Sequence, residues 1–121
     1  MVYQNTFLKI ADNSGPKEVK CLNIKKKFIG YISDILVVII KKKFVQRKKV
    51  KKSVLPSLLI NTRFKNKRPE GIFIKFRFNS SLLLNKDLIF LGTNVKHLLC
   101  KEIKKSKKQF KKIISYSSGN V

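Results

Sequence analysis

The chain predicts a mainly β protein, a small closed barrel followed by short C-terminal α-helices. Three observations carry that expectation. Short apolar or alternating runs recur across residues 1–92, each bounded by Gly, Pro, Asn, Asp or Ser. Many short strands between turns favour closure into a barrel over an open sheet. From Thr93 onward the apolar spacing changes from two to three or four, the helical period. With 121 residues, 43% of them hydrophobic, the chain is long enough for one domain with a real core. We expect a single domain over 1–121: barrel to 92, helical segment 93–116, and a loose tail 117–121.

Thr6–Ala11 reads as the first strand, and Asp12-Asn13-Ser14-Gly15-Pro16 as a turn, since all five residues are turn formers. Over Val19–Ile24 the apolar positions are 19, 21, 22 and 24. The face switches between 21 and 22, as a bulge or sharp bend would require. Tyr31–Ile40 ends in six consecutive apolar residues and predicts a buried strand. Val54–Ile60 is a further strand, whose Pro56 belongs at a strand start, an edge or a bulge because it lacks an N–H.

Arg68-Pro69-Glu70-Gly71 fits a type I turn. After it, Ile72, Ile74, Phe76 and Phe78 share one face while Phe73, Lys75 and Arg77 share the other, which predicts a strand. Leu82–Leu84 and Leu88–Leu91 flank the turn Asn85-Lys86-Asp87. Val95, Leu98, Leu99 and Ile103 are spaced for a helix capped by Thr93 or Asn94, and Phe110, Ile113 and Ile114 suit a second.

Charge narrows the function. Lys and Arg total 29 against six acids, a net charge of +23. Such a chain repels itself unless it is solvated or lies against a dense polyanion, and nucleic acid is the obvious one. In Lys41–Lys52 eight of twelve residues are basic and none is acidic. Basic groups recur at Lys25–Lys27, Arg63–Arg68 and Lys101–Lys112, and at Lys75 and Arg77. A single such run can also be a solvated tip, a targeting signal or a solubilising arm; it is the recurrence that points to RNA or DNA. Only four of the 29 cations are arginine, which favours phosphate and shape recognition over base reading. The same bias, with abundant Asn, Ile and Phe and no Trp, is also what AT-rich codons produce.

Catalysis has little to build on. No two acids are close in sequence, His97 is the sole histidine, and no phosphate-binding glycine loop or serine elbow occurs. No metal site and no cofactor are expected. Cys21 and Cys100 stand far apart in sequence and read as buried free thiols, with a disulfide as the alternative. No apolar run approaches the ~20 residues of a membrane-spanning helix, and structured-looking sequence begins by Thr6, with no secretory signal or transit peptide ahead of it.

At Ala11-Asp12-Asn13-Ser14-Gly15 the sequence resembles the bacterial-type large-subunit ribosomal protein L-fourteen family. Further matches follow in order: Val19 and Cys21; Asp34-Ile35, with Ser33 where glycine is usual; Lys49-Val50-Lys51-Lys52; and Arg68-Pro69-Glu70-Gly71 with Ile74-Lys75-Phe76. Then come Asn79 with Leu83-Leu84-Asn85, Gly92-Thr93, Lys101-Glu102-Ile103 and Ile113-Ile114-Ser115. Ser53-Val54 departs from the family's Gly-Asp. Lys96-His97-Leu98 departs from its Phe-Gly-Pro and suggests a more continuous helix.

The resemblance implies a five-stranded barrel with a long basic hairpin. It implies a structural role in the large ribosomal subunit, with large-subunit rRNA as principal partner. It further implies contacts with large-subunit proteins nineteen and three, a bridge to small-subunit rRNA, and docking of a ribosome silencing factor near Cys100, Lys101, Lys104 and Lys105. From charge and placement, the expected RNA contacts are Lys41, Lys42, Lys43, Arg47, Lys48, Lys49, Lys51, Lys52, Arg68, Lys75 and Arg77. The codon bias favours the mitochondrial matrix and an organelle-encoded chain, with plastid or bacterial cytoplasm as alternatives. A free-standing RNA-binding or RNA-chaperone module is the second reading. A nuclease is the third, disfavoured by the missing acid cluster.

Overall fold

The computed structural model describes residues 1–25, 28–43 and 54–105, with only the backbone of Lys42, Lys43, Lys104 and Lys105. Strands β1 (Phe7–Ile10), β2 (Pro16–Ile24), β3 (Ile35–Lys43) and β4 (Val54–Asn61) are followed by β5 (Asn66–Lys67), β6 (Phe73–Ile74) and β7 (Ser80–Leu83). A 3-10 helix, Lys101–Lys105, ends the described chain. Five strands close a barrel in the order β1-β2-β3-β4-β7, and β5 and β6 form a separate ribbon. Every neighbouring pair in the barrel is antiparallel except β7 and β1, where Lys9 lies against Ser80 and Ile10 against Ser81 in parallel.

Alternation builds the barrel interior. Leu8 and Ile10 of β1 point in while Phe7 and Lys9 point out. In β2 two residues, Leu22 and Asn23, separate the buried Cys21 and Ile24, and the register with β3 slips between Cys21 and Asn23. This is the bulge the sequence predicts there. Leu36, Val38, Leu55, Leu59 and Leu83 complete the interior. Pro56 is the third residue of β4, opposite Val37 of β3. Its carbonyl accepts from Leu84 N at 3.0 Å, one residue past the end of β7. Backbone N and O of a strand residue face the same neighbour, so the missing N–H falls where the β4–β7 ladder begins.

A second apolar layer lies outside the barrel. Leu58, Ile60, Leu82 and Leu84 are covered by Val95, Leu99 and Ile103. With both faces buried, Leu58–Asn61 and Ser80–Leu84 carry no outward charge.

Four expectations need correction. Tyr31–Asp34 is a turn, not strand: Tyr31 N donates to Asp34 Oδ2 at 2.8 Å, and β3 starts only at Ile35. The apolar run of β3 is buried on alternate residues, Leu36 and Val38, with Val37 half-exposed. Ile72–Phe78 is not a barrel strand. Only Phe73–Ile74 pairs, against Asn66–Lys67, because β7 already closes the barrel against β1 and leaves no edge for it. Residues 93–100 are not a helix: Lys96 N donates to Ala11 O at 2.7 Å and Val95 bridges Asp12, so the segment runs extended over the barrel. Lys96-His97-Leu98 therefore does not continue a helix. Val95 and Leu99, four apart, share a face in an extended chain as well as in a helix, which is why spacing misled.

The Arg68–Gly71 turn is as predicted. Gly71 N donates to Arg68 O at 3.0 Å, and Gly71 adopts φ +85°, as a hairpin turn requires. The tip 44–53, the second C-terminal helix and the tail lie outside the described residues.

Candidate nucleic-acid interface

The turn Asp12–Gly15 fixes one end of the surface. Asp12 is buried, and its Oδ1 accepts from Ser14 N at 3.1 Å and from the Ser14 hydroxyl. Asn13 reaches across to the C-terminal segment: its Oδ1 accepts from Thr93 N at 2.8 Å and Asn94 N at 3.3 Å, and its Nδ2 donates to Thr93 Oγ1 at 2.9 Å. Gly92 packs against Asp12 so closely that a Cβ there would sit 2.7 Å from Asp12 Cβ. The ADNSG residues thus clamp the start of the extended segment onto the barrel. Burial pushes the Asp12 carboxyl above the ordinary carboxylate range, opposed by its hydrogen bonds to Ser14 and Leu83.

Three of the six acids are engaged within the molecule. Asp12 is buried, Asp34 holds its turn, and Glu102 pairs with Arg68, whose Nε lies 2.9 Å from Glu102 Oε1. That pair ties the β5–β6 ribbon to the 3-10 helix. The outward face of the barrel carries cations and aromatic rings. Lys20 of β2 lies over the exposed Phe7 of β1, 5.9 Å from the ring centroid. Lys9 of β1 lies 3.6 Å from the Phe78 centroid, and the Arg77 guanidinium 5.3 Å from it. Phe28, beside Lys25 and the basic run it opens, is 95% exposed. Cations interleaved with exposed aromatic rings are the elements of phosphate contact and base stacking.

The predicted contact residues divide into three groups. Lys41, Lys75 and Arg77 are exposed, as RNA contacts must be. Lys42 and Lys43 are the last residues of β3. Arg47, Lys48, Lys49, Lys51 and Lys52 lie outside the described residues. Arg68 is half-buried in its ion pair, which gives it an internal tie first of all. At the expected partner surface Lys101 is exposed, whereas Cys100 is buried, so its side chain offers a partner nothing. Burial and the nearby Glu102 carboxylate push the Cys100 thiol up to about 12. Cys21 and Cys100 are both free and buried. Sequence reasoning missed Phe7, Lys9 and Lys20, although the alternation Phe7-Leu8-Lys9-Ile10 already places Phe7 and Lys9 on the outer face.

Among the described residues no three His, Cys, Asp or Glu side chains gather to hold a metal, and no helix is long and apolar enough to cross a membrane. His97 shares a hydrogen bond with Ser80, Nδ1 to Oγ 2.9 Å, and burial with Lys9 and Lys96 nearby holds its pKa down.

A closed five-stranded barrel whose exterior carries cations beside exposed rings defines a small, strongly basic barrel protein. Comparison places it further: the chain belongs to the family described as ribosomal protein L14p/L23e, which it matches over residues 1–121. It is similar to the large ribosomal subunit protein uL14 of Carsonella ruddii (strain PV), 37% identical over 122 residues and 98% of each chain. Family membership makes its role a structural one in the ribosome.

Proposed function

We propose that this chain is a structural constituent of a bacterial-type large ribosomal subunit, binding large-subunit rRNA through its cationic exterior and basic hairpin tip. The observation that carries the reading is the pairing of Lys9, Arg77 and Lys20 with the rings of Phe78 and Phe7 on the barrel's outer face, in a member of a ribosomal family. Lys41–Lys43, Arg47–Lys49, Lys51, Lys52, Lys75 and Arg77 neutralise phosphates, and Arg68 holds the ribbon that presents Lys75 and Arg77. The segment 93–105 faces the subunit interface, where Lys101, Lys104 and Lys105 meet small-subunit rRNA or a silencing factor. Large-subunit proteins nineteen and three are its protein neighbours. Similarity to the Carsonella ruddii protein supports a bacterial-type ribosome. The mitochondrial placement rests on codon bias, which bacteria with AT-rich genomes share.

Binding to large-subunit rRNA as a function of salt tests the contact set. Replacing Arg47, Lys48 and Lys49 by Gln together should lower the log–log salt slope by about 2–3, at roughly 0.7–0.9 per phosphate. An unchanged slope would remove the hairpin tip from the interface.

A further inference from the structure

His97 is the chain's sole histidine, and two lysines from distant parts of the sequence act on it. Lys9 comes from β1, where its ammonium lies 3.6 Å from the Phe78 centroid. Lys96 comes from the extended segment, and its N–H donates to Ala11 O at 2.7 Å. Beside them lies a hollow of about 160 Å³, lined by Lys9, Lys17, Lys96 and His97 among others. The three lysines are exposed, so their ammonium groups can meet a solute directly. The imidazole is half-buried and held by Ser80, Nδ1 to Oγ 2.9 Å. Lys96 and His97 both stand where the sequence departs from the family pattern, so the cluster is this chain's own.

The imidazole senses the potential in the hollow. Burial holds its pKa down first, and the charges of Lys9 and Lys96 push it further. A field that repels a proton attracts an anion. Two carboxylates, Asp12 and Glu18, share the lining and oppose one. Asp12 is buried, and its oxygens accept from Ser14 N, the Ser14 hydroxyl and Leu83 N. That leaves half-buried Glu18 against three exposed lysines. Arg77 adds a further cation, since it and His97 line the adjoining slot together. An anion is the charge this hollow lacks, and phosphate is the anion that RNA presents at every nucleotide.

We propose that this hollow seats one backbone phosphate of RNA between Lys9, Lys17 and Lys96, and that His97 takes up a proton from solvent as the phosphate arrives. The inference rests on the RNA-binding reading above. To a surface of permanent charges it adds one contact whose strength depends on pH. The sign follows from linkage: phosphate stabilises the imidazolium, so binding tightens as pH falls through the titration of His97. By reciprocity, if phosphate raises the proton affinity of His97 about tenfold, the complex is about tenfold tighter below that titration than above it.

The test follows the single histidine C2–H signal of the full-length protein by NMR over roughly pH 5–8. The protein is titrated alone and saturated with hexauridylate, at constant ionic strength set by chloride. Neither uracil nor a phosphodiester titrates in that range, so the proton belongs to the protein. Hexauridylate should raise the His97 proton affinity about tenfold and bind about tenfold tighter at the acid end than at the alkaline end. Inorganic phosphate at the same phosphorus concentration should leave the titration close to that of the free protein. Lys9→Gln should raise the His97 pKa in the free protein and shrink the rise that RNA produces, because one ammonium supplies both the repulsion and a phosphate contact. The Met1 amino group, whose pKa burial lowers, titrates nearby. His97→Gln separates the two, keeping any contribution of Met1 and losing that of His97. An unmoved His97 titration with RNA bound would overturn the proposal. So would an equal rise with inorganic phosphate, which would make the hollow a free-anion site. The native titration decides these outcomes whether or not a variant folds. If hexauridylate binds and His97 does not move, the hollow fails alone; if hexauridylate does not bind even at low salt, the RNA-binding reading fails with it.

Discussion

Gly92 shows how closely the C-terminal segment approaches the ADNSG turn. A Cβ at this position would meet Asp12 Cβ at 2.7 Å and Asp12 Cγ at 2.8 Å, inside any real contact distance. Because Asp12 is buried and bonded to Ser14 and Leu83, it has little room to yield. Gly92→Ala should therefore cost about 1–3 kcal/mol in denaturant unfolding; a change within experimental error would mean the clamp is loose. Ser33 gives the opposite sign. It holds φ +79° while its N–H bonds Leu59 O, at a position where the family resemblance expects glycine. Left-handed backbone costs a non-glycine residue roughly 1–2 kcal/mol, so Ser33→Gly should raise stability by up to about 1 kcal/mol. Asp12 adds a pH dependence. Its folded pKa is raised, so its contribution is fully present below the ordinary Asp range and is lost as pH rises through the folded value. Side-chain NMR titration should find Asp12 above the usual ~3.9. Finding it at or below that value would mean the carboxyl is better solvated than its burial implies.

At the scale of elements, the extended segment over β4 and β7 acts as a cover. Leu99 is fully buried beneath it while the adjacent Leu98 is half-exposed. Leu99→Ala should destabilise by about 2–5 kcal/mol, against well under 1 for Leu98→Ala. Similar losses would be the signature of a helix burying both. This element also marks where sequence patterns stop informing. A spacing of four is shared by helices and extended chains, so Val95 and Leu99 could be read either way. What decides is the pairing of Val95 and Lys96 with Asp12 and Ala11, more than eighty residues away, which lays the segment against the barrel in extended form. Ile72–Phe78 is the converse case. Its alternation is genuine, but alternation does not say which sheet accepts the strand, and the closed barrel has no edge for it. The strands β1, β2 and β4, the β2 bulge and the Arg68–Gly71 turn were legible because each depends on local backbone chemistry.

Across the whole molecule, charge was the most legible property and the site's geometry the least. Twenty-nine cations in the sequence predict a polyanion partner. They do not predict that Asp12, Asp34 and Glu102 are used internally, nor that Lys9 and Lys20 pair with the rings of Phe78 and Phe7. The central claim is integral membership of the large ribosomal subunit, held by many phosphate contacts at once. The most direct measurement is sedimentation of the tagged chain from cells or organelles through a sucrose gradient, at low salt and after a high-salt wash. The account predicts comigration with the large subunit that survives the wash. Migration at the top of the gradient, or release at modest salt, would contradict it and leave a free-standing RNA-binding module on the same fold.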